Sequence, residues 1–188
     1  MEIAVWPEAD VPTVLRRQVV ELRDAAWPPD LPGSLAPSHD PLLRPVSLLL
    51  VEGDEVVAAL DILSKELPHG GVTYAASGLA TVVTRADLRR RGHGLRLIRA
   101  ARETMGAAGA DLAVFTCDAV LAPFYEAGGY AVLPGATLVG GTPDAPLRSD
   151  ELDKVVLWRP YTAKADVRAG DFAGAEIELY PGPIDRLW

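Results

Sequence analysis

Three consecutive arginines, Arg89–Arg91, stand directly before a pair of glycines, Gly92 and Gly94, near the centre of the chain. An apolar, strand-like run, Leu79–Thr84, precedes them, and a helical pattern begins at Leu95. Glycines allow a tight turn and a close approach of the backbone to a ligand. The free N–H groups and the dipole of the following helix favour an anion there. The spacing predicts a pyrophosphate-like anion site, with a solvated basic turn as the alternative.

The arginine triplet fits the anion site and leaves the solvated turn as an equal alternative. Positive side chains are unfavourable at a helix N-terminus and repel one another, so an anion among them would stabilise the arrangement. The motif does not match a dinucleotide-binding fingerprint, because Leu97 stands where the third glycine belongs and no early βαβ unit precedes it. A phosphate-binding P-loop is excluded because the chain has no Gly-Lys-Ser/Thr sequence.

Length, composition and charge limit the classes of protein that this chain can belong to. It has 188 residues, 49% of them hydrophobic, which is enough for one domain or for one domain with an extension. A net charge of −8 argues against nucleic acid as the main partner. Neither a signal peptide nor an apolar run of membrane-spanning length is visible. The single cysteine, Cys117, excludes an intrachain disulfide and suits a cytoplasmic location.

The elements that must position the glycine turn follow a mixed α/β pattern. A strand at Glu2–Trp6 and a helix at Val11–Ala26, with Asp10 as its N-cap, lead into a proline-rich loop between Pro28 and Pro45. Strands joined by hairpins come next, at residues 46–51, 55–63 and 72–84.

The second half of the chain contains a crossover that predicts a parallel pair of strands. The helix after Gly94 is followed by a strand at Asp111–Thr116, and a strand–helix–strand order gives a right-handed crossover. The remaining predicted elements are a short helix at 123–127, strands at 130–133 and 155–158, a loop at 134–154, and a tail at 161–188 that folds back onto the domain.

Two places along these elements carry further ionisable residues. His39 and Asp40 are neighbours in the proline-rich loop, where solvation is the favoured interpretation and catalysis the alternative. Asp61 interrupts an apolar strand. We expect Asp61 on the exposed face of that strand, with a position in a cleft, as a base, as the alternative.

Two motifs, taken together, resemble the GCN5-related N-acetyltransferase (GNAT) superfamily. Arg89–Gly94 resembles the signature [QR]-x-x-G-x-[GA]. Downstream, Tyr125 is followed four residues later by a glycine–aromatic pair, Gly129-Tyr130, as in the second mark of the family. The likeness covers roughly residues 1–160. It implies a mixed α/β fold with a mostly antiparallel central sheet, a parallel splayed pair of strands and flanking helices, in a single acetyltransferase domain that residues 161–188 extend.

The resemblance also implies acetyl-CoA as co-substrate and no metal. In such proteins the amides of the glycine-rich turn bind the CoA pyrophosphate. The end of the preceding strand pairs with the pantetheine arm and polarises the acyl carbonyl. The thioester then lies in the gap between that strand and Asp111–Thr116. The residues that the resemblance assigns to CoA are Val82, Val83, Thr84, Arg89, Arg90, Arg91, Gly92, His93, Gly94 and Leu95.

Acyl transfer to an amine needs a proton donor and a proton acceptor. Tyr125 is the predicted general acid, because a phenol with a pKa of about 10 can protonate a thiolate whose acid has a pKa of about 8.5. The strand Ser77–Thr84 has no carboxylate, although many relatives place a glutamate there. The base therefore stays open between loss of the proton to solvent through water and four carboxylates: Asp61, Asp118, Asp185 and the C-terminus of Trp188.

The C-terminal tail resembles a narrower group, the aminoglycoside 2′-N-acetyltransferases. Asp185 and Trp188 are similar to the aspartate and tryptophan that end those proteins, with a spacing one residue longer. The resemblance implies that Asp185 and Trp188, together with Asp118, bind the acceptor, and acidic residues would suit a polycationic aminoglycoside. The predicted function is acetylation of a primary amine of a small molecule, either an aminoglycoside, as in antibiotic resistance, or another amine. The alternative is a degenerate domain that binds CoA or a cationic ligand without turnover. A homodimer is common in the family.

Overall fold

The computed structural model describes residues 1–30 and 33–188 as one large mixed sheet, one small sheet and five helices. The strands are β1 (Glu2–Pro7), β2 (Val46–Glu52), β3 (Glu55–His69), β4 (Val72–Thr84), β5 (Leu112–Asp118), β6 (Ala131–Val132), β7 (Thr137–Thr142), β8 (Ala145–Arg148), β9 (Lys154–Pro160) and β10 (Glu176–Glu178). The helices are α1 (Thr13–Ala26), α2 (His93–Ala107), α3 (Ala122–Ala127), α4 (Ala163–Asp166) and α5 (Ala169–Phe172).

The large sheet has the strand order β1-β2-β3-β4-β5-β9-β6. Every neighbouring pair in it is antiparallel except β4 and β5, which are parallel because α2 crosses over between them. The small sheet, β10-β7-β8, is built partly from the C-terminal tail. The mixed sheet with one parallel pair and flanking helices confirms the predicted fold class.

Helices α1 and α2 contribute to two separate hydrophobic cores. The amphipathic α1 buries Val19 in a cluster with Leu49, Val51 and Val83 of the sheet. In contrast, α2 buries its own apolar side chains in the main core. Those side chains are Leu97, Ile98, Ala101 and Met105.

The parallel pair β4–β5 stays together over two rungs only. Ala76 lies opposite Leu112 and Ser77 opposite Ala113, after which the two strands diverge. The divergence leaves the rest of β4 beside a gap, in the position that the sequence predicts for a thioester. We call this gap the splay, meaning the space between residues 78–84 and 114–118.

Two local predictions are wrong. Helix α1 begins at Thr13 with Pro12 as its N-cap and without a side-chain cap, so Asp10 lies in the preceding 3-10 turn and caps nothing. Residues 134–154 are not a loop but contain the hairpin β7–β8. Leu138 is fully buried there because β7 also pairs with β10, a distant partner that a local pattern cannot reveal.

Among the described residues, 1–30 and 33–188, no helix is long and apolar enough to cross a membrane. Within the same residues, no group of three or more His, Cys, Asp or Glu side chains is arranged to hold a metal ion.

Candidate active site

The N-terminus of α2 presents uncapped backbone amides at the glycine turn. Gly92 is the N-cap, with φ +83, a left-handed conformation that glycine adopts without strain. The first backbone hydrogen bond of the helix runs from the N–H of Arg96 to the carbonyl of Gly92, at 2.9 Å. The N–H groups of His93, Gly94 and Leu95 come before the first intrahelical donor. Such amides, added to the helix dipole, bind anions.

The three arginines lie exposed beside these amides. Arg89 donates from Nε to the carbonyl of Thr84 at 3.2 Å, which holds its guanidinium at the end of β4. Arg90 adopts a left-handed φ of +61, so the chain turns sharply just before Gly92. An open groove of about 430 Å³ extends from the turn along α2. Its lining is Ile3, Gly92, Leu95, Arg96, Arg99, Ala100 and Glu103.

Tyr125 lies close to the glycine turn because α3 packs against the start of α2. A side-chain carbon at Gly94 would come within 3.2 Å of the Phe124 ring and 3.1 Å of the Thr84 hydroxyl. Next to Phe124, the ring of Tyr125 is buried and makes edge contacts with Phe115 and Phe124 at 5.3 and 5.1 Å. Burial raises the pKa of Tyr125, so its phenol is protonated at neutral pH. The two sequence motifs therefore meet in space.

Strand β4 carries a bulge between the parallel rungs and the glycine turn. Ala59 of β3 lies opposite Val83, but Asp61 lies opposite Ala80, so β4 has one residue more than β3 over this stretch. Thr81 in the bulge has φ +50, which is rare for a β-branched residue. The bulge re-aims the backbone that continues toward Thr84, where the resemblance places the pantetheine arm.

Trp188 fills the narrow end of the splay. Its indole is buried, and its Nε1 donates to the carbonyl of Val114 on β5. Gly78 of β4 lies directly against the same ring, and any side chain at this position would overlap the indole. The C-terminal residue thus bridges the two diverging strands, where a backbone N–H would otherwise continue the sheet.

A buried polar cluster lies beside the bulge, on the α1 side of the sheet. Asp61 is its centre and is 3% exposed, so the expectation of an exposed Asp61 is wrong. It accepts hydrogen bonds from Ser47 at 2.5 Å, Thr81 at 2.7 Å, His39 Nε2 at 3.1 Å and the Arg23 guanidinium. A buried carboxylate is stable only with such partners.

His39 joins this cluster to the tail. Its Nδ1 contacts the carboxylate of Asp185, while its backbone N–H donates to the Glu8 carboxylate at 3.3 Å. Its sequence neighbour Asp40 has a different role, since it accepts from the N–H of Leu42 and caps a short turn. His39 is therefore buried between Asp61 and Asp185 rather than solvated in the loop.

The two carboxylates decide the charge of His39. Burial lowers the pKa of His39, but the hydrogen bonds to Asp185 and Asp61 outweigh it and raise the pKa to about 9. At neutral pH the ring is an imidazolium that donates from both nitrogens. For Asp61, burial raises the pKa, but the His39 hydrogen bond and the Arg23 charge lower it below its usual range. Neither group is a free base.

A second cation holds the tail in place. Lys65 of β3 is 6% exposed, and its ammonium donates to the carbonyls of Leu179, Pro181 at 3.3 Å and Pro183 at 3.0 Å. Asp185 and Trp188 then form a tight turn through reciprocal backbone hydrogen bonds. This turn presents the Asp185 side chain, one third exposed, to His39.

Asp118 lies apart from the tail, at the end of β5. It is exposed and forms an ion pair with Lys154 at 2.6 Å. The preceding Cys117 is buried, and burial raises its pKa to about 11, so it is a thiol rather than a nucleophilic thiolate at neutral pH.

The structure brings most of the predicted residues to the two ends of the splay. The glycine turn, the end of β4 and Tyr125 lie at its outer end, whereas Trp188 fills its narrow end and Asp185 contacts His39 nearby. Val83 is an exception, since its side chain is buried against α1 and only its backbone can face a ligand. Sequence reasoning missed Arg23, Thr81 and Lys65. Arg23 lies 38 residues from Asp61 and 58 from Thr81, so no local spacing reveals the cluster.

Comparison with known proteins identifies the family of this sequence and structures of similar fold. The sequence matches the family model described as an acetyltransferase (GNAT) domain over residues 16–133. No match was found among curated proteins. A Pseudomonas aeruginosa acyl-CoA N-acyltransferase is similar in structure, with a TM-score of 0.61 at 16% identity over 84% of this chain and 98% of that one.

Two further solved structures show the same fold. Escherichia coli ElaA has a TM-score of 0.61 at 19% identity, over 84% of this chain and 98% of that one. The aminoglycoside 6′-N-acetyltransferase from Enterococcus faecium has a TM-score of 0.58 at 16% identity, over 86% of this chain and 98% of that one. At these identities the likeness extends to the fold alone.

Proposed function

Because the chain belongs to the GNAT acetyltransferase family, we propose that it transfers the acetyl group of acetyl-CoA to a primary amine of a small molecule. One observation carries the proposal: the uncapped amides of α2, the end of β4 and Tyr125 lie together at the mouth of the splay. Pyrophosphate would bind the amides of His93–Leu95, with Arg89, Arg90 and Arg91 beside it. The pantetheine arm would follow Val82–Thr84.

The reaction needs little beyond orientation and proton transfer. The amine nitrogen attacks the thioester carbonyl, and the carbonyl oxygen takes negative charge that amides of the β4 bulge stabilise. The C–S bond breaks, and Tyr125 donates its proton to the departing thiolate. Because burial raises the pKa of Tyr125, the phenol stays protonated over the working pH range.

The amine must lose its proton before or during attack. Asp61 is fully engaged with hydrogen-bond donors, and Asp118 is paired with Lys154. The C-terminal residue Trp188 is buried, and its carboxyl group accepts from the Asp185 N–H. The Asp185 side chain is partly exposed, and we assign it to amine binding. The proton then leaves to solvent, so the rate of transfer should rise with pH as the acceptor ammonium deprotonates.

The proposed acceptor is cationic, with aminoglycosides as the first class to test. The chain has a net charge of −8, and the tail places Asp185 beside the splay. The resemblance of Asp185 and Trp188 to the end of the 2′-N-acetyltransferases points the same way. A cytoplasmic location and a homodimer complete the proposal.

Two observations favour a second function. Asp61 is buried and saturated with hydrogen-bond donors, and Ser77–Thr84 contains no carboxylate. In this second function the domain binds CoA or a cationic ligand without turnover. The retained Tyr125 argues against it, because binding alone needs no general acid.

One experiment separates the two functions. Calorimetry with CoA is combined with a thiol-release assay that uses acetyl-CoA and a panel of amines, for the wild type and for Tyr125→Phe. We expect CoA binding in both proteins and a loss of kcat of about 10²–10⁴ in Tyr125→Phe. CoA binding without turnover on any amine would support the second function. The absence of CoA binding would overturn the proposed transferase and would leave only the binding of a cationic ligand.

A further inference from the structure

Thr81 has an unusual backbone conformation in the bulge of β4. It is a β-branched residue with φ +50, in the β4 bulge that directly precedes Val82. Left-handed backbone at a non-glycine residue persists only where the surroundings hold it. Bulges re-aim a strand next to active sites. Specific contacts must therefore hold Thr81 in this conformation.

The Thr81 hydroxyl is held from two directions. It donates to the Asp61 carboxylate at 2.7 Å and accepts from the Arg23 guanidinium at 2.8 Å. Arg23 also pairs directly with Asp61, so the three groups form a closed triangle. Arg23 lies on α1 and Asp61 on β3, so the triangle joins the bulge to the side chains of two other elements.

Asp61 is itself fixed by the remaining donors. Ser47 on β2 and His39 in the proline-rich loop complete its hydrogen bonds. Asp61 is 3% exposed, so water does not compete for its carboxylate. The protein donors therefore fix the orientation of the carboxylate. The bulge is thus attached through one hydroxyl to a rigid buried anchor.

We propose that Asp61 and Arg23 are positioning residues that act through the Thr81 hydroxyl and hold the β4 bulge in the conformation that aims the Val82 amide at the acyl carbonyl. This inference rests on the proposed function, in which that amide stabilises the oxyanion. No base or acid role is assigned to Asp61. The bulge residue itself stays half-buried, and it is the backbone that follows it which meets the substrate.

The test reads the polarisation of the carbonyl directly, without an acceptor. Acetyl-CoA labelled with ¹³C at the carbonyl is bound to the protein, and its carbonyl stretch is measured by isotope-edited infrared spectroscopy. In the wild type we expect a shift to lower wavenumber than in free acetyl-CoA, because a hydrogen bond weakens the C=O bond. Calorimetry with CoA runs in parallel and reports on the proposed function alone.

Three variants of Thr81 separate its hydroxyl from its backbone conformation. Thr81→Val removes the hydroxyl at nearly constant volume, and Thr81→Gly removes it while accepting a positive φ, so it keeps the test informative if the valine variant does not fold. Both should lose most of the shift while the Kd for CoA changes less than about threefold, and Thr81→Ser should restore most of the shift. Thr73→Val, an exposed threonine on the same strand, is the matched control.

Steady-state kinetics give a second readout. For Thr81→Val and for Asp61→Asn we expect kcat to fall about tenfold with little change in KM for acetyl-CoA, less than the 10²–10³ lost when an oxyanion donor is removed outright. The Thr81→Val/Asp61→Asn double variant should lose no more than Asp61→Asn alone, because the substitution at Asp61 already disturbs the group that the Thr81 hydroxyl contacts.

Three outcomes would overturn the inference. The first is an unchanged carbonyl shift in Thr81→Val and Thr81→Gly. The second is an equal loss of shift in Thr81→Ser. The third is CoA binding in the wild type with no carbonyl shift at all. If the wild type binds no CoA, the proposed function fails first and the inference fails with it.

Discussion

The two ends of the splay, the proposed CoA side and the tail side, are built by different means. On the CoA side, backbone amides at the start of α2 and the edge of β4 are the proposed contacts, and glycines keep the approach open. On the tail side, side chains from α1, the proline-rich loop, β3 and the C-terminus meet in a buried cluster around Asp61. The backbone amides come from a short continuous motif, whereas the side-chain cluster is assembled from residues far apart in sequence.

The largest expected effect concerns the CoA side. Gly92→Val should abolish CoA binding, a loss of at least about 100-fold in Kd, because a side chain would enter the space over the amides and strain a residue with φ +83. Gly94→Val should do the same, since its side chain would press on Thr84 and Phe124. Calorimetric titration with CoA measures both.

A matched control separates blocked binding from backbone strain. Gly109 follows the other end of α2 with φ +81 and open space around it. Gly109→Val should destabilise the fold about as much as Gly92→Val and leave CoA affinity intact. Unchanged CoA affinity in either variant of the turn would refute the anion site and remove the contrast between the two sides.

The next effect in size concerns the tail side and pH. The folded-state pKa of His39, about 9, lies above its ordinary value of 6.5, so its contribution to stability is complete below pH 6.5 and is lost as the pH rises through 9. The contribution is at most about 3.5 kcal/mol, since one pKa unit corresponds to about 1.4 kcal/mol. The other charged groups that contact His39 or its partners are Glu8, Arg23, Asp61 and Asp185.

Chemical denaturation of the wild type and His39→Gln between pH 6 and 10 measures this contribution. The wild type should lose stability over the range, and His39→Gln should show a flatter profile. Parallel profiles for the two proteins would mean that His39 is not the imidazolium that joins the tail to Asp61.

A smaller effect is expected for amine binding. Removal of residues 184–188 should weaken amine binding by tenfold or more and CoA binding by less, because the charged contact of Asp185 is lost while the glycine turn is untouched. Asp185→Asn is the milder variant and leaves Trp188 in the splay. Equal losses for amine and CoA, or global unfolding of both variants, would show that the tail is structural only.

The smallest effect is expected at Asp118. Its carboxylate is exposed and paired with Lys154, and exposed pairs contribute about 0–1 kcal/mol. Asp118→Asn should therefore change the KM for the amine by no more than about fivefold, measured by thiol release. A much larger change would move the acceptor site from the tail toward the end of β5.

The same contrast explains how much the sequence could predict. Some positions in the fold were predictable because the residues lie within short motifs with their own periodicity. These are the glycine turn, the crossover helix α2 and the short helix that carries Tyr125. Asp61 was misjudged because an aspartate in an apolar strand is usually exposed, and its partners Arg23 and Thr81 lie 38 and 20 residues away. The hairpin β7–β8 was missed because β10, from the tail, stabilises it.

The central claim is that CoA binds along the uncapped end of α2 and the outer part of β4, with its thioester in the splay. A crystal structure of the protein with acetyl-CoA or CoA tests it most directly. We predict pyrophosphate density at the amides of His93, Gly94 and Leu95, and pantetheine density along Val82–Thr84 that ends between Tyr125 and Trp188. CoA bound elsewhere, or a splay that stays closed to it while CoA is bound, would contradict the account.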